Sequence, residues 1–166
     1  MQFILIVLRL VHIVAGAFWV GSALMLALII LPGVRKAGPG SERALPMAKI
    51  SQAMSITALL TTLAGLLLYI LLFQFSLVWI TSSVGIGFTI GSLVGIVAFL
   101  IGQLSTGPTA KKMGQLAGQM QAAGAPPTPE HVAAMGRLQA KLGASSTWGT
   151  SLATLALVLM AVARYL

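Results

Sequence analysis

The chain has no cysteine, only two acidic residues, and no lysine, aspartate or glutamate inside its long apolar runs. Without cysteine there are no disulfides, no thiolate metal sites, no iron–sulfur clusters and no thiol redox chemistry. Glu42 and Glu130 both lie between apolar runs, so a carboxylate relay through a membrane is excluded. A Schiff-base lysine within a span is excluded on the same ground. Nothing resembles a phosphate loop, a nucleophile elbow or a zinc-protease helix, which argues against a hydrolase. The balance leans away from an enzyme.

Charge of either sign is scarce. Charged residues are 7% and hydrophobic residues 58%, with a mean hydropathy of +1.00, whereas a soluble domain carries roughly 25% charged residues. Four apolar runs account for this, at residues 3–31, 53–73, 84–104 and 148–166. Each is close to or above the ~20 residues that cross a ~30 Å hydrocarbon core as an α-helix. In lipid every backbone N–H and C=O must be paired internally, which makes such runs helices. The expected fold is all-α: a single domain over 1–166, an integral membrane bundle of four transmembrane helices. The first run is too long for the core of a signal peptide and is read as a mature span.

The formal charge of +8 would suggest nucleic acid in a soluble protein. Here the basic residues flank the spans, so the expected partner is the lipid bilayer and not nucleic acid. The first inner loop carries Arg35, Lys36, Arg43 and Lys49, and the second carries Lys111, Lys112, Arg137 and Lys141. The opposite face has Arg9 and Arg164 only. Eight basic residues against two predict both termini outside, with loops 32–52 and 105–147 in the cytoplasm.

Pro32, Gly33 and the run Gly38-Pro39-Gly40 are expected to end the first helix. Trp79 in the short outer connection reads as an aromatic anchor at headgroup level. Residues 107–146 are long enough for an amphipathic helical hairpin between the third and fourth spans, split at Ala125-Pro126-Pro127. Met113, Leu116 and Met120 share one face of its first helix; Val132, Met135 and Leu142 share one face of its second. Thr128 is the expected N-cap, with Pro129 at the first helical position and His131 facing solvent at the helix start. The hairpin either extends the spans into the cytoplasm or lies on the membrane surface.

Gly87, Gly91 and Gly95 give the third helix a flat face, and Ala17 with Gly21, and Gly149 with Ala153, do so in the first and fourth. Such faces let helix backbones approach closely. Tight packing is the first reading; a wall for a planar cofactor, a homo-oligomer or another membrane subunit is the second.

Arg9 and His12 share a helical face with Gly16, Trp19 and Ala23. His12 lies nine residues after Phe3, ~14 Å along the helix. An ionisable group at that depth costs on the order of 2–3 kcal/mol and faces the bundle interior or a cavity. With Arg9 nearby, a second cation is unfavourable, so an uncharged imidazole is expected. Arg9 itself either snorkels outward or binds an anionic group. Tyr69, Met160 and Arg164 are expected near the same outer-leaflet level. Together with His12 they suggest a b-type haem site: His12 axial, Met160 a second ligand, Arg9 or Arg164 on the propionates. The same imidazole and thioether suit copper(I). The plainer reading is a buried His12 hydrogen-bonded to Tyr69, a serine or a threonine of a neighbouring helix.

The motif Leu10-Val11-His12, then Trp19-Val20-Gly21, then Leu31-Pro32 before Arg35 resembles the copper resistance protein D superfamily. The His-to-Trp opening is similar to haem-binding protoporphyrinogen oxidases of the HemJ type. The ending Leu159-Met160-Ala161-Val162-Ala163-Arg164-Tyr165 resembles the last helix of small uncharacterised members. The resemblance implies a four-helix protein of the bacterial inner membrane in which His12 is haem-associated, or copper handling. The HemJ-type oxidases also use a membrane lysine, which no span here contains. Two functions follow as expectations: a redox or metal-handling protein using His12, or a non-catalytic accessory subunit of a larger membrane complex.

Overall fold

The computed structural model describes residues 1–37, 47–124, 126 and 128–166. Gly38-Pro39-Gly40, Glu42, Arg43, Ala125 and Pro127 lie outside the described residues. Within them, every regular element is helical. In chain order these are α1 (Gln2–Met25), α2 (Leu31–Ala37), α3 (Met47–Phe73), α4 (Leu77–Ile80), α5 (Ser83–Ile101), α6 (Gly107–Ala122) and α7 (Pro129–Ala163). Four stretches are long and apolar enough to cross a membrane: Gln2–Gly33, Lys49–Phe73, Ser83–Ala122 and Pro129–Ala163.

Pro32 does not end the first helix. A π turn at Leu26–Ile30 joins α1 to α2, and the Leu31 N–H bonds back to the Leu26 carbonyl. Proline lacks an N–H, and its ring presses on the carbonyl four residues earlier. Widening the turn that holds Leu28 admits the ring and lets the helix continue. The same device recurs further on. A π turn at Gly102–Thr106 joins α5 to α6, the Gly107 N–H bonds to the Gly102 carbonyl, and Pro108 follows. In both places one residue separates the wide turn from its proline.

The third and fourth spans are longer than their apolar cores. The continuous Ser83–Ala122 stretch has 40 residues and α7 has 35, ~60 Å and ~52 Å at 1.5 Å per residue. A ~30 Å core leaves a third or more of each helix beyond it. The hairpin is therefore an extension of the spans: α6 continues α5, and α7 holds both the second hairpin helix and the fourth span. Met113, Leu116 and Met120 are half-buried in α6, which packs on α7, whereas Val132 is exposed. The Thr128 hydroxyl accepts the His131 N–H at 3.2 Å, and Pro129 opens the helix, the cap that the spacing predicts. The His131 side chain is half-buried rather than fully solvent-facing.

Packing divides the bundle into two hairpins, α1 on α3 and α5 on α7, with lighter contacts between them. The interior is made of small residues. Ala58, Ala64, Ala98, Ala153, Ala156 and Ala163 are buried, and Val20, Ala98 and Ala153 form the central cluster with Trp19, Leu24 and Leu152. Large apolar side chains face outward instead: Phe3 is 77% exposed, Leu28 70% and Leu104 74%. That inversion suits lipid, where helices associate through close packing and not by burying bulky side chains. The first helix packs through Ala15, Gly16, Val20 and Ala23; the expected Ala17–Gly21 face is exposed, with open space beside Gly21.

Between α3 and α4 Gln74 and Phe75 adopt φ of 46° and 54°, a left-handed turn costing of order 1 kcal/mol per residue. An aromatic cluster surrounds it. Phe73 stacks on Trp79 at 3.5 Å, and Tyr69 meets both Phe75 and Trp79 edge-on or tilted within 5.5 Å.

Candidate functional site

His12 and Thr61 join α1 to α3 by a reciprocal pair of hydrogen bonds. The His12 Nδ1–H donates to the Thr61 carbonyl at 2.7 Å. The Thr61 hydroxyl donates to the His12 carbonyl at 2.8 Å and lies 3.3 Å from Nδ1. A carbonyl can only accept, so the first bond places a ring proton on Nδ1.

Glycine makes both approaches possible. In a helix each side chain leans toward the N-terminus and covers the turn before it. The residue covering the His12 carbonyl is Gly16, four positions on; the one covering the Thr61 carbonyl is Gly65, also four on. A Cβ on Gly65 would lie 2.6 Å from His12 Cε1, and one on Gly16 would lie 2.9 Å from Thr61 Oγ1. His-x-x-x-Gly on one helix thus faces Thr-x-x-x-Gly on the other. Thr61 is 6% exposed and His12 is half-buried.

The other candidate residues go elsewhere. Tyr69 is two turns beyond Thr61 on α3, ~12 Å along the axis. Its hydroxyl bonds Thr89 Oγ1 on α5 at 2.7 Å. Met160 packs over Gly91 in the α5–α7 interface, its Cγ 3.0 Å from where a Cβ would stand. Arg9 and Arg164 are exposed, and Arg164 lies 5.2 Å from the Tyr165 ring. Among the described contacts His12 meets Thr61 and Gly65, and none of Tyr69, Met160, Arg9 or Arg164 joins it. No group of three or more His, Asp or Glu side chains converges among the described residues.

The glycine face of α5 is covered from within the chain. A Cβ on Gly87 would lie 2.8 Å from Ala163 Cβ, and one on Gly95 would lie 3.6 Å from Ala156 Cβ. With Gly91 against Met160 and Leu159, α7 occupies the side where a planar cofactor or a second subunit was the alternative.

Among the described residues, two grooves stand out on the sides of the bundle. One, about 320 Å³, lies between α1 and the start of α3; the other, about 660 Å³, lies between α1 and α7, beside Thr147, Thr150, Ser151 and Thr154. His12 lines neither. Thr61 and Gly65 are the functional residues that sequence reasoning did not name. Their one sequence signal is a spacing: Thr61 precedes Gly65 by four residues, as His12 precedes Gly16, although Thr57 and Thr62 lie beside Thr61 on the same helix.

No protein-family model matches the chain, and no curated protein or solved structure matches it.

Proposed function

We propose that this is a multi-pass bacterial inner-membrane protein acting as a non-catalytic accessory subunit, with His12 serving as an interhelical clamp. The observation carrying this reading is the commitment of the His12 ring to the Thr61 carbonyl at 2.7 Å, beside Gly65 and away from both grooves. A haem needs a slot beside its axial histidine and cations for its propionates. Neither groove touches His12, and Arg9 and Arg164 are both exposed. Both termini lie outside and the basic loops inside, on the weight of eight basic residues against two.

A second reading has one specific observation behind it. Metal-bound histidines hold the other ring nitrogen in a hydrogen bond to a carbonyl or carboxylate, which is the posture of His12 Nδ1. Haem b, or copper(I) as the less suited ligand, would then sit on Nε2, with its remaining ligands supplied from outside the set found here.

One experiment separates the two. The full chain, extracted in mild detergent from iron-replete and copper-replete cells, is expected to be colourless and metal-free, and to migrate in a complex larger than its monomer. A Soret band or bound copper that disappears in His12→Ala would overturn the accessory reading. Cysteines introduced at Ser82 and Gln121 test orientation cleanly, since the chain has none of its own. Ser82→Cys is expected to react with an impermeant maleimide from outside, and Gln121→Cys is not.

A further inference from the structure

Toward its inner end the α1–α3 hairpin opens, and an almost wholly apolar groove of about 320 Å³ runs between the two helices. Phe18, Met25 and Ile30 line it from the first helix, Ala53 and Met54 from α3, with Lys49 at its inner mouth. Phe18 and Ile30 are twelve residues apart, ~18 Å along a helix, close to the ~15 Å depth of one leaflet. Lys49 is exposed, and Lys36, beyond Ile30 on the same continuous helix, is exposed as well. An apolar channel one leaflet long, ending in an ammonium group at headgroup level, has the polarity of an acidic lipid read from tail to phosphate.

We propose that this groove binds one anionic phospholipid, an acyl chain lying between α1 and α3 and the phosphate resting on Lys49. Charge selects this occupant over a second copy of the chain, which would bring another basic inner face against Lys49 and Lys36. Basic side chains at the membrane surface attract acidic headgroups, and the groove adds a place for the tail that a surface lysine lacks. The site rests on the bilayer-spanning reading and is independent of the role given to His12.

Native mass spectrometry of the full chain tests it. The protein is extracted from membranes, stripped of lipid, and titrated with phosphatidylglycerol or phosphatidylcholine of matched chains. The expected result is one tightly retained lipid, with phosphatidylglycerol preferred. Lys49→Gln should weaken phosphatidylglycerol about fivefold and leave phosphatidylcholine unchanged. Ala53→Leu, which fills the channel, should weaken both, and Lys141→Gln on α7 should weaken neither. Equal retention of the two lipids by the wild type would overturn the proposal. So would an equal loss in Lys141→Gln, a bound lipid indifferent to Ala53→Leu, or a dimer that excludes lipid. A chain released from membranes without detergent would fail the bilayer reading at the extraction step, before any lipid is added.

Discussion

The two hairpins of this bundle solve the same problem with different chemistry. The α5–α7 pair brings backbones together by removing side chains: Gly87 faces Ala163, Gly91 faces Met160 and Leu159, and Gly95 faces Ala156. The α1–α3 pair brings a histidine and a threonine together, and its glycines only clear the way to two carbonyls. For helices in lipid, hiding bulky apolar groups brings no gain, because the solvent is as apolar as they are. What remains is dispersion across a close contact, or a hydrogen bond between groups that lack water. The first is unforgiving of volume at Gly87 and Gly91, where an added Cβ would lie 2.8 Å from Ala163 Cβ and 3.0 Å from Met160 Cγ. The second is unforgiving of geometry, though each bond averages only ~0.6 kcal/mol in a membrane bundle.

The comparison breaks first at the glycine face. Among Gly87, Gly91 and Gly95, Gly87→Leu should be the most damaging change, because a Cβ there already lies 3.1 Å from the Ala163 backbone Cα. Overpacking of this kind costs roughly 3 kcal/mol or more when backbone must move. Unfolding titrated with a denaturing detergent, followed by circular dichroism, should show a large fall in midpoint. A fall under 1 kcal/mol would mean that the two helices separate easily.

Gly65→Ala should come next, at about 1–2 kcal/mol, since its methyl would strike the imidazole at 2.6 Å from Cε1. A double-mutant cycle sharpens this. In a His12→Ala background the ring is gone, so Gly65→Ala should cost almost nothing. Equal costs in both backgrounds would place the effect in the helix backbone and not in the clamp.

How much of this was legible in the residues depends on which physical signal each feature leaves. The four long apolar helices were plain from the apolar runs, because the length and composition that suit crossing lipid can be read together. The helix ends were not, because Pro32 reads as a stop and only a widened turn before it lets the helix run on, as another does before Pro108. The polar partner of His12 was foreseeable as a type, a serine or threonine on a neighbouring helix, and not as Thr61. Choosing among Thr57, Thr61 and Thr62 requires the rotation of α3 about its axis, which the nearly uniform apolar run does not reveal. The convergence of His12, Tyr69, Met160 and Arg164 rested on depth alone. Depth places groups in one layer, but azimuth decides which of them meet, and here Tyr69 turns to Thr89 while Met160 turns to Gly91.

Thr61→Val tests the weaker half of the clamp. It removes the hydroxyl that reaches the His12 carbonyl and leaves the Thr61 carbonyl in place for Nδ1. The expected loss is about 0.6 kcal/mol, and not above ~1.7 kcal/mol. His12→Ala, which removes the other bond and the ring's packing, should exceed it in the same detergent titration.

The smallest effect is expected where the two hairpins meet, at Tyr69. Thr89 donates its only hydroxyl proton to the Gly85 carbonyl at 2.7 Å, so the 2.7 Å bond to Tyr69 has the phenol as donor. Tyr69→Phe therefore removes a donor and its proton together, leaving Thr89 still bonded to Gly85 and no stranded N–H or O–H. The ring keeps its neighbours Phe73, Phe75 and Trp79, so the cost should stay near 0.5 kcal/mol, the low end for a net hydrogen bond. Trp79→Ala in the same assay should cost several times more, since it empties the stack on Phe73 at 3.5 Å. If Tyr69→Phe instead matched Trp79→Ala, the junction at Tyr69 would be held by its one hydroxyl pair. The division into a polar hairpin and a close-packed hairpin would then need a third, polar joint between them.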